Sequence, residues 1–464
     1  AGGPGGGRGA AAGGGGTPAA GESAPPAQPP SSEAAREGGG QRGGQRVAGR
    51  NPYQFNWNTP FILSAHNPRI VYVGGNFVFR SLKQGEDLRV ISPEIIRTKR
   101  GTATALAESP RNPDILWAGT DDGNLWISRD GGQKWTNVAD KVGLPGPRWV
   151  STIEASRFAD GRAYVCFDAH RSDDDKPYCY VTEDFGQTWK CINNNLPEFG
   201  SSRCLREDVI NPNLLFCGTE FACFASTNRG ATWTKINNNL PTVAVHELAI
   251  HPTAGEMVAA THGRSLWILD ISALRQIKPE TLEAAAHLYA PAPAVKWRSE
   301  PEVGSMYGNG SKKYYGQNPQ PGTQIYVSFT KKPEKASLKV FDVAGNLVRE
   351  LAIKNEVGLQ RVNWNLTRPS AERVMGAIGG TVDPEQVMRR PGGFFGSAVP
   401  PGQYRVVLAV DGKEFVQALS VEADPVTGSR QVAAGGGEDE DNGDDEEEQE
   451  REQEKELMRR LLDK

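Results

Sequence analysis

Apolar and polar residues alternate over most of the chain in the manner of half-buried strands. Four stretches starting at residues 67, 112, 211 and 254 line up with one another: "NPRIVYVGGNFVFRS", "NPDILWAGTDDGNLWIS", "NPNLLFCGTEFACFAS" and "AGEMVAATHGRSLWIL". Each carries apolar, β-branched or aromatic residues on both sides of a tight turn, at Gly74-Gly75-Asn76, Asp121-Asp122-Gly123, Glu220-Phe221-Ala222 or His262-Gly263-Arg264. That pattern predicts strand, turn, strand. A further strand is predicted by "GTATALAES", "VSTIEAS", "RCLRED" and "VHELAIH".

Between these stretches recurs a turn of the form Ser/Thr-x-Asp/Asn-x-Gly-x-x-Trp. Its copies are Ser128, Asp130, Gly132 and Trp135; Thr182, Asp184, Gly186 and Trp189; and Ser226, Asn228, Gly230 and Trp233. The Trp residues are 54 and 44 residues apart, and a degenerate copy, Ser81 to Leu88, lies 47 residues before Trp135. The hydroxyl and the Asp or Asn supply oxygens for backbone N–H groups inside the turn, Gly takes an angle that a side chain forbids, and Trp packs between layers. The box is therefore a folding device. With the strand after each Trp, every repeat has four strands, as a propeller blade has. The predicted fold is all-β: about four blades and the strands of a fifth over residues 51–270, followed by a small β-sandwich.

The boxes, together with "NWNTP", "GTDDGNLW", "FDAHRSDD", "NPNLLFCGTEF" and "THGRSLWILD", resemble the bacterial BNR or Asp-box, sortilin-like and glycosyl hydrolase-like β-propeller family over roughly residues 51–300. The resemblance implies a secreted, periplasmic or cell-surface protein. It also implies further blades ahead of this sequence, so that an incomplete ring is completed by another polypeptide, a lost amino-terminal half or a homo-oligomer. Asp boxes mark the fold and not an activity, because they occur in hydrolases, receptors and non-catalytic assembly factors.

From residue 320 the rhythm changes to "TQIYVSFT", "ASLKVFDVAGNLVREL", "GLQRVNWNL" and "PPGQYRVVLAVDGKEFVQALSVE". Short alternating strands over 320–424 read as an antiparallel sandwich after a 301–319 linker, with an insertion near 370–398. Pro400-Pro401-Gly402 and Tyr404 resemble a fibronectin-like or flagellar-hook-capping module. Residues 1–50 are Gly/Ala/Pro-rich and are expected to be disordered, as is the acidic 425–445 segment. A short helix is expected over 446–464, with Leu457, Met458, Leu461 and Leu462 as its apolar patch. The sequence opens on Ala with no secretion signal or membrane-spanning run, so a processed product or fragment is expected.

The net charge of −4 conceals an acidic tail, since residues 438–464 hold 14 Asp or Glu against 5 Lys or Arg. The rest is nearly balanced, which argues against nucleic acid and anionic membranes as partners. All six cysteines, Cys166, Cys179, Cys191, Cys204, Cys217 and Cys223, fall in one 58-residue window without a CxxC pair, which argues against a zinc site. Strand pairing would set Cys166 opposite Cys179 and Cys204 opposite Cys217, leaving disulfides and buried thiols both open.

In a propeller the box turns lie on one face, and the opposite rim collects the turns between second and third strands with the connections between blades. That rim receives Asp121, Asp168, His170, Arg171, Glu220, His262 and Arg264, with Arg148, Trp149, Arg203 and His246 from the connections. These residues form a candidate site for a peptide, a glycan or a partner subunit, in a non-catalytic reading with no cofactor and no metal. The alternative is a glycoside hydrolase whose acid and base are among Asp121, Asp168 and Glu220, which requires two carboxylates about 5 to 9.5 Å apart. A sialidase would need an Arg-Ile-Pro motif ahead of the boxes, which this sequence lacks.

Overall fold

In the computed structural model, residues 52–297, 320–368 and 396–425 are described. The chain divides into two units, 1–52 and 53–464, and the first consists almost wholly of residues outside that range. The segments expected at 1–50, 301–319 and 446–464, and nearly all of the 425–445 segment and of the 370–398 insertion, also lie outside it.

Residues 61–270 form five consecutive antiparallel meanders, four of four strands and a last one of three. Their first strands are Phe61–Leu63, Ala103–Glu108, Trp149–Ala155, Ser202–Glu207 and Val245–Ile250. Each first strand packs on the first strand of the next meander, so the five sheets stand radially as propeller blades with these strands innermost. The first and fifth blades share no comparable packing, and the blades describe an arc. Apolar clusters fill the gaps between blades, such as Trp117, Ile127, Val150 and Phe167 between the second and third.

The box turns form as their residue types require. Gly132, Gly186 and Gly230 donate their N–H to the hydroxyls of Ser128, Thr182 and Ser226 at 2.8, 2.9 and 2.8 Å. The N–H groups of Lys134, Thr188 and Thr232 donate to Asp130, Asp184 and Asn228, each at 2.8 Å. All three glycines have positive φ, between 79° and 93°. Each also sits on an aliphatic residue just past the last strand of the preceding blade: Ile91, Val138 and Ile192. The Trp135 and Trp233 indoles donate to the backbone oxygens of Ile91 and Ile192 at 2.8 and 2.7 Å. The box thus closes its own hairpin and docks it on the neighbouring blade.

A second inter-blade device was not read from the sequence. At the ends of inner strands, Glu108 accepts from the Ser64 and Tyr72 hydroxyls and the Ala65 N–H, at 3.0, 2.9 and 2.7 Å. Glu207 repeats the arrangement two blades on, with Ser156, Arg157 N–H and Tyr164 at 2.8, 2.9 and 3.3 Å. Acidic residues at strand ends ordinarily face solvent; here a neighbouring blade surrounds them with donors.

The expected cysteine pairing needs one correction. Cys166 does lie opposite Cys179. Cys204 lies opposite Gly218, and Leu205 opposite Cys217, because the register shifts between Ser202 and Cys204. A bulge of this kind leaves no mark in the alternation of the sequence. All six cysteines are free thiols and all but Cys191 are buried.

The sandwich begins earlier than expected. Ala286–Leu288 pairs with Thr323–Phe329, and Ala294–Lys296 pairs in parallel with Lys413–Ala423. Residues 286–296 therefore belong to the sandwich and not to the propeller, because their apolar side chains fill a core with Ile325, Leu338, Trp364, Val406 and Leu408. Its sheets have three and five strands. Tyr404 donates its hydroxyl to the Pro400 oxygen at 2.7 Å, fixing the turn that opens the long hairpin.

Candidate functional site

The rim opposite the boxes gathers most of the nominated side chains through the starts of the inner strands. Asp168 lies opposite Trp149 across the third blade, which puts carboxylate and indole on one edge. Asp168 is only 4% exposed. It accepts from the His170 ring at 2.6 Å and forms an ion pair with Arg203 of the fourth blade. The same guanidinium reaches Glu220, with Nε at 2.8 Å from Oε2. Asp168, Arg203 and Glu220 thus form a continuous charged chain across two blades.

Around this chain stand further groups. Arg171 lies over the Trp149 ring at 5.2 Å, within cation–π range. Arg148 pairs with Asp174 at 3.0 Å, and the Tyr178 hydroxyl donates to the same carboxylate at 2.7 Å. Burial works against the Asp174 charge, but the bonds from Tyr178 and Arg148 prevail and hold it below the ordinary carboxylate range. His246 and His262 are in contact, 3.4 Å between ring nitrogens. Burial, with the Arg203 and His262 charges behind it, pushes His246 below the usual imidazole range. Two polar atoms on this rim, Arg148 Nε and Ser201 Oγ, are buried without a hydrogen-bond partner.

Two nominated residues, in the rim turns of the second and fifth blades, also make bonds that hold local structure. Asp121 accepts from the Thr102 N–H and hydroxyl at 2.8 and 2.7 Å and from Asn56 at 3.3 Å, and so holds its own blade together. Arg264 contributes its backbone oxygen, which accepts from the Trp267 indole at 2.8 Å. In the His170 loop, Asp173 takes the left-handed conformation with φ of 58° and Asp174 is spent on Arg148 and Tyr178.

Sequence reasoning missed an aromatic pair. Phe199 and Phe221 stack at 5.4 Å with rings nearly parallel, both exposed, beside Glu220. Phe221 sat inside the quoted Glu-Phe-Ala turn, and its place at the turn tip was the available signal. Also missed was the inner wall near the box end. There two adjoining cavities of 240 and 350 Å³ share Glu154, Arg157 and Arg206. Arg206 reaches Glu154 at 3.4 Å and Glu247 at 2.6 Å. Burial pushes the Glu154 carboxyl up to about 7 despite the Arg206 and Arg157 charges. The only hint in the sequence was the presence of Glu154, Arg206 and Glu247 within three of the inner strands. This wall is closed upon itself, since the Arg206 guanidinium also bonds Thr152, Leu205 and Leu248 oxygens.

No helix among the described residues is long and apolar enough to cross a membrane. No family model matches the chain. A 98-residue stretch, 20% of the chain, is 34% identical to an oligoxyloglucan-reducing end-specific xyloglucanase from Emericella nidulans, of whose length it spans 11%. Among solved structures, a GH74 xyloglucanase from Xanthomonas campestris is similar with a TM-score of 0.37 at 15% identity, over 45% of this chain and 36% of that one. An ancestral GH74 enzyme gives 0.36 at 14% identity, over 69% and 40%.

Proposed function

We propose that the protein is a polysaccharide-binding β-propeller whose ligand lies along the rim opposite the box turns. One observation carries the reading: the exposed aromatic pair Phe199 and Phe221, with the half-buried Trp149 beneath Arg171, flanks the Asp168–Arg203–Glu220 chain on one edge. Sugar rings offer C–H faces that stack on aromatics and hydroxyls that bond to charged groups, and a polymer needs an open edge more than an enclosed pocket. The local likeness to a xyloglucanase favours a glucan backbone as the ligand class. This reading places the protein where polysaccharide is met, outside the cell, at its surface or in the periplasm.

Binding is tested by calorimetric titration with xyloglucan and cello-oligosaccharides. Phe221→Ala and Arg203→Ala are each expected to weaken binding about tenfold, the effect of losing one well-placed contact. A parent that binds no polysaccharide, or variants that bind as well as the parent, would overturn the reading.

A second reading, hydrolysis, draws on the same xyloglucanase likeness. Asp168 and Glu220 are then the acid and base, since Asp121 is bound to Thr102 and Asn56, and one of the two has to part from Arg203 to carry the proton. Release of reducing sugar by the parent, abolished in Asp168→Ala and Glu220→Ala, would establish it in place of simple binding.

A further inference from the structure

Three cysteines meet in the interface between the third and fourth blades. Cys166 and Cys179 face each other on the second and third strands of the third blade, with Sγ atoms 3.2 Å apart. Cys217, on the second strand of the fourth blade, brings its Sγ to 3.8 Å from that of Cys179. All three side chains are fully buried, among Tyr164, Leu205, Leu215 and Phe224. Among the described residues this is the one place where three ligand atoms of His, Cys, Asp or Glu lie within 4.8 Å of one another. The interface is independent of the rim residues and of any glycan.

We propose that Cys166, Cys179 and Cys217 form a three-coordinate site for a soft metal ion of the copper(I) type, which ties the third blade to the fourth. A metal–thiolate bond of about 2.3 Å sets the edge of a planar trigonal site at about 4 Å. The 3.8 Å edge already matches, and the 3.2 Å edge opens by less than 1 Å. Structural zinc takes four ligands, and a fully buried trio leaves no water to serve as the fourth. Three sulfur donors without oxygen or nitrogen select a soft, low-coordinate ion. As the ion binds, it displaces protons from the thiols, which leave with the solvent. Because the sulfurs are sealed from water, loading accompanies folding. Cys204 and Cys223, equally buried on the other side of the fourth blade, lie outside the trio and serve as internal controls.

The test is to fold the full chain anaerobically with copper(I) and a competing chelator. The expected result is one copper per chain, with X-ray absorption showing three sulfur neighbours at about 2.3 Å. Retention should survive in Cys204→Ser and Cys223→Ser and fall about tenfold or more in Cys217→Ser. The absorption measurement uses the unaltered protein, so it stands even where a variant fails to fold. Copper held no better by the parent than by Cys217→Ser would overturn the proposal. So would zinc retained in preference to copper, or peptide mapping that recovers Cys166 and Cys179 joined as a disulfide.

Discussion

Glu154 and Asp184 have shifted in opposite directions for opposite reasons. Burial lifts Glu154 from 4.5 to about 7, with Arg206, Arg157 and Glu207 around it, whereas bonds from Thr188 and Thr182 draw Asp184 from 3.8 to about 2. A raised folded value means that the neutral acid is favoured in the fold, so the Glu154 contribution is present below 4.5 and is lost as pH rises towards 7. The lowered His246 and His287 act in the opposite sense over the same range, so the Glu154 share is read as the difference in melting temperature between parent and Glu154→Gln, which should shift against the parent as pH rises from 4.5 to about 7. For Asp184 the sign is reversed: its contribution holds above 3.8 and fades as pH falls through about 2, and Asp184→Ala should remove that acid-side slope. Glu207 gives the largest single-residue prediction. Glu207→Ala strands the Ser156 and Tyr164 hydroxyls and the nearby Arg162 charge, and should lower stability by about 3 kcal/mol in urea unfolding. At this scale the box residues were legible, because their partners lie within a few positions. Glu154, Glu207 and Phe199 were not, because their partners arrive from other blades.

Among elements, the blade is the unit the sequence repeats, and its spacing is set by glycines where a second strand meets the next inner strand. A methyl group on Gly119 would lie 2.3 Å from Val150 Cγ1, and one on Gly218 would lie 2.5 Å from the Val245 oxygen. Gly119→Ala should push the second and third blades apart and lower stability by about 1–3 kcal/mol, read from the urea midpoint. Ser226→Ala, which removes the hydroxyl bonded by Gly230 N–H, should lower it by about 1 kcal/mol. Strand order and turn positions were legible from alternation. The bulge between Ser202 and Cys204 was not, and it is what sets Cys204 opposite Gly218 instead of Cys217.

Across the whole molecule, the two ends of the arc carry apolar side chains that the middle blades bury. Phe61 is 66% exposed, whereas Ile153 and Leu205, at the same place on their own inner strands, are buried. Leu63 takes the place held elsewhere by Glu108 and Glu207, and a methyl group on Gly85 of the degenerate first box would meet nothing within 4 Å. This flank has the apolar character of the interfaces between blades. A hydrophobic dye should bind there, and a Phe61→Ser, Leu63→Ser variant should lose most of that fluorescence; unchanged fluorescence would count against an open flank. The sequence by itself determined the blade pattern, the box turns and the face on which the rim loops gather, because those depend on local periodicity and on bonds between near neighbours. Only the tertiary structure decided which carboxylates share Arg203, which cysteines touch and which acids are buried. These depend on side chains 35 to 51 residues apart meeting where blades pack, and no local pattern encodes that meeting.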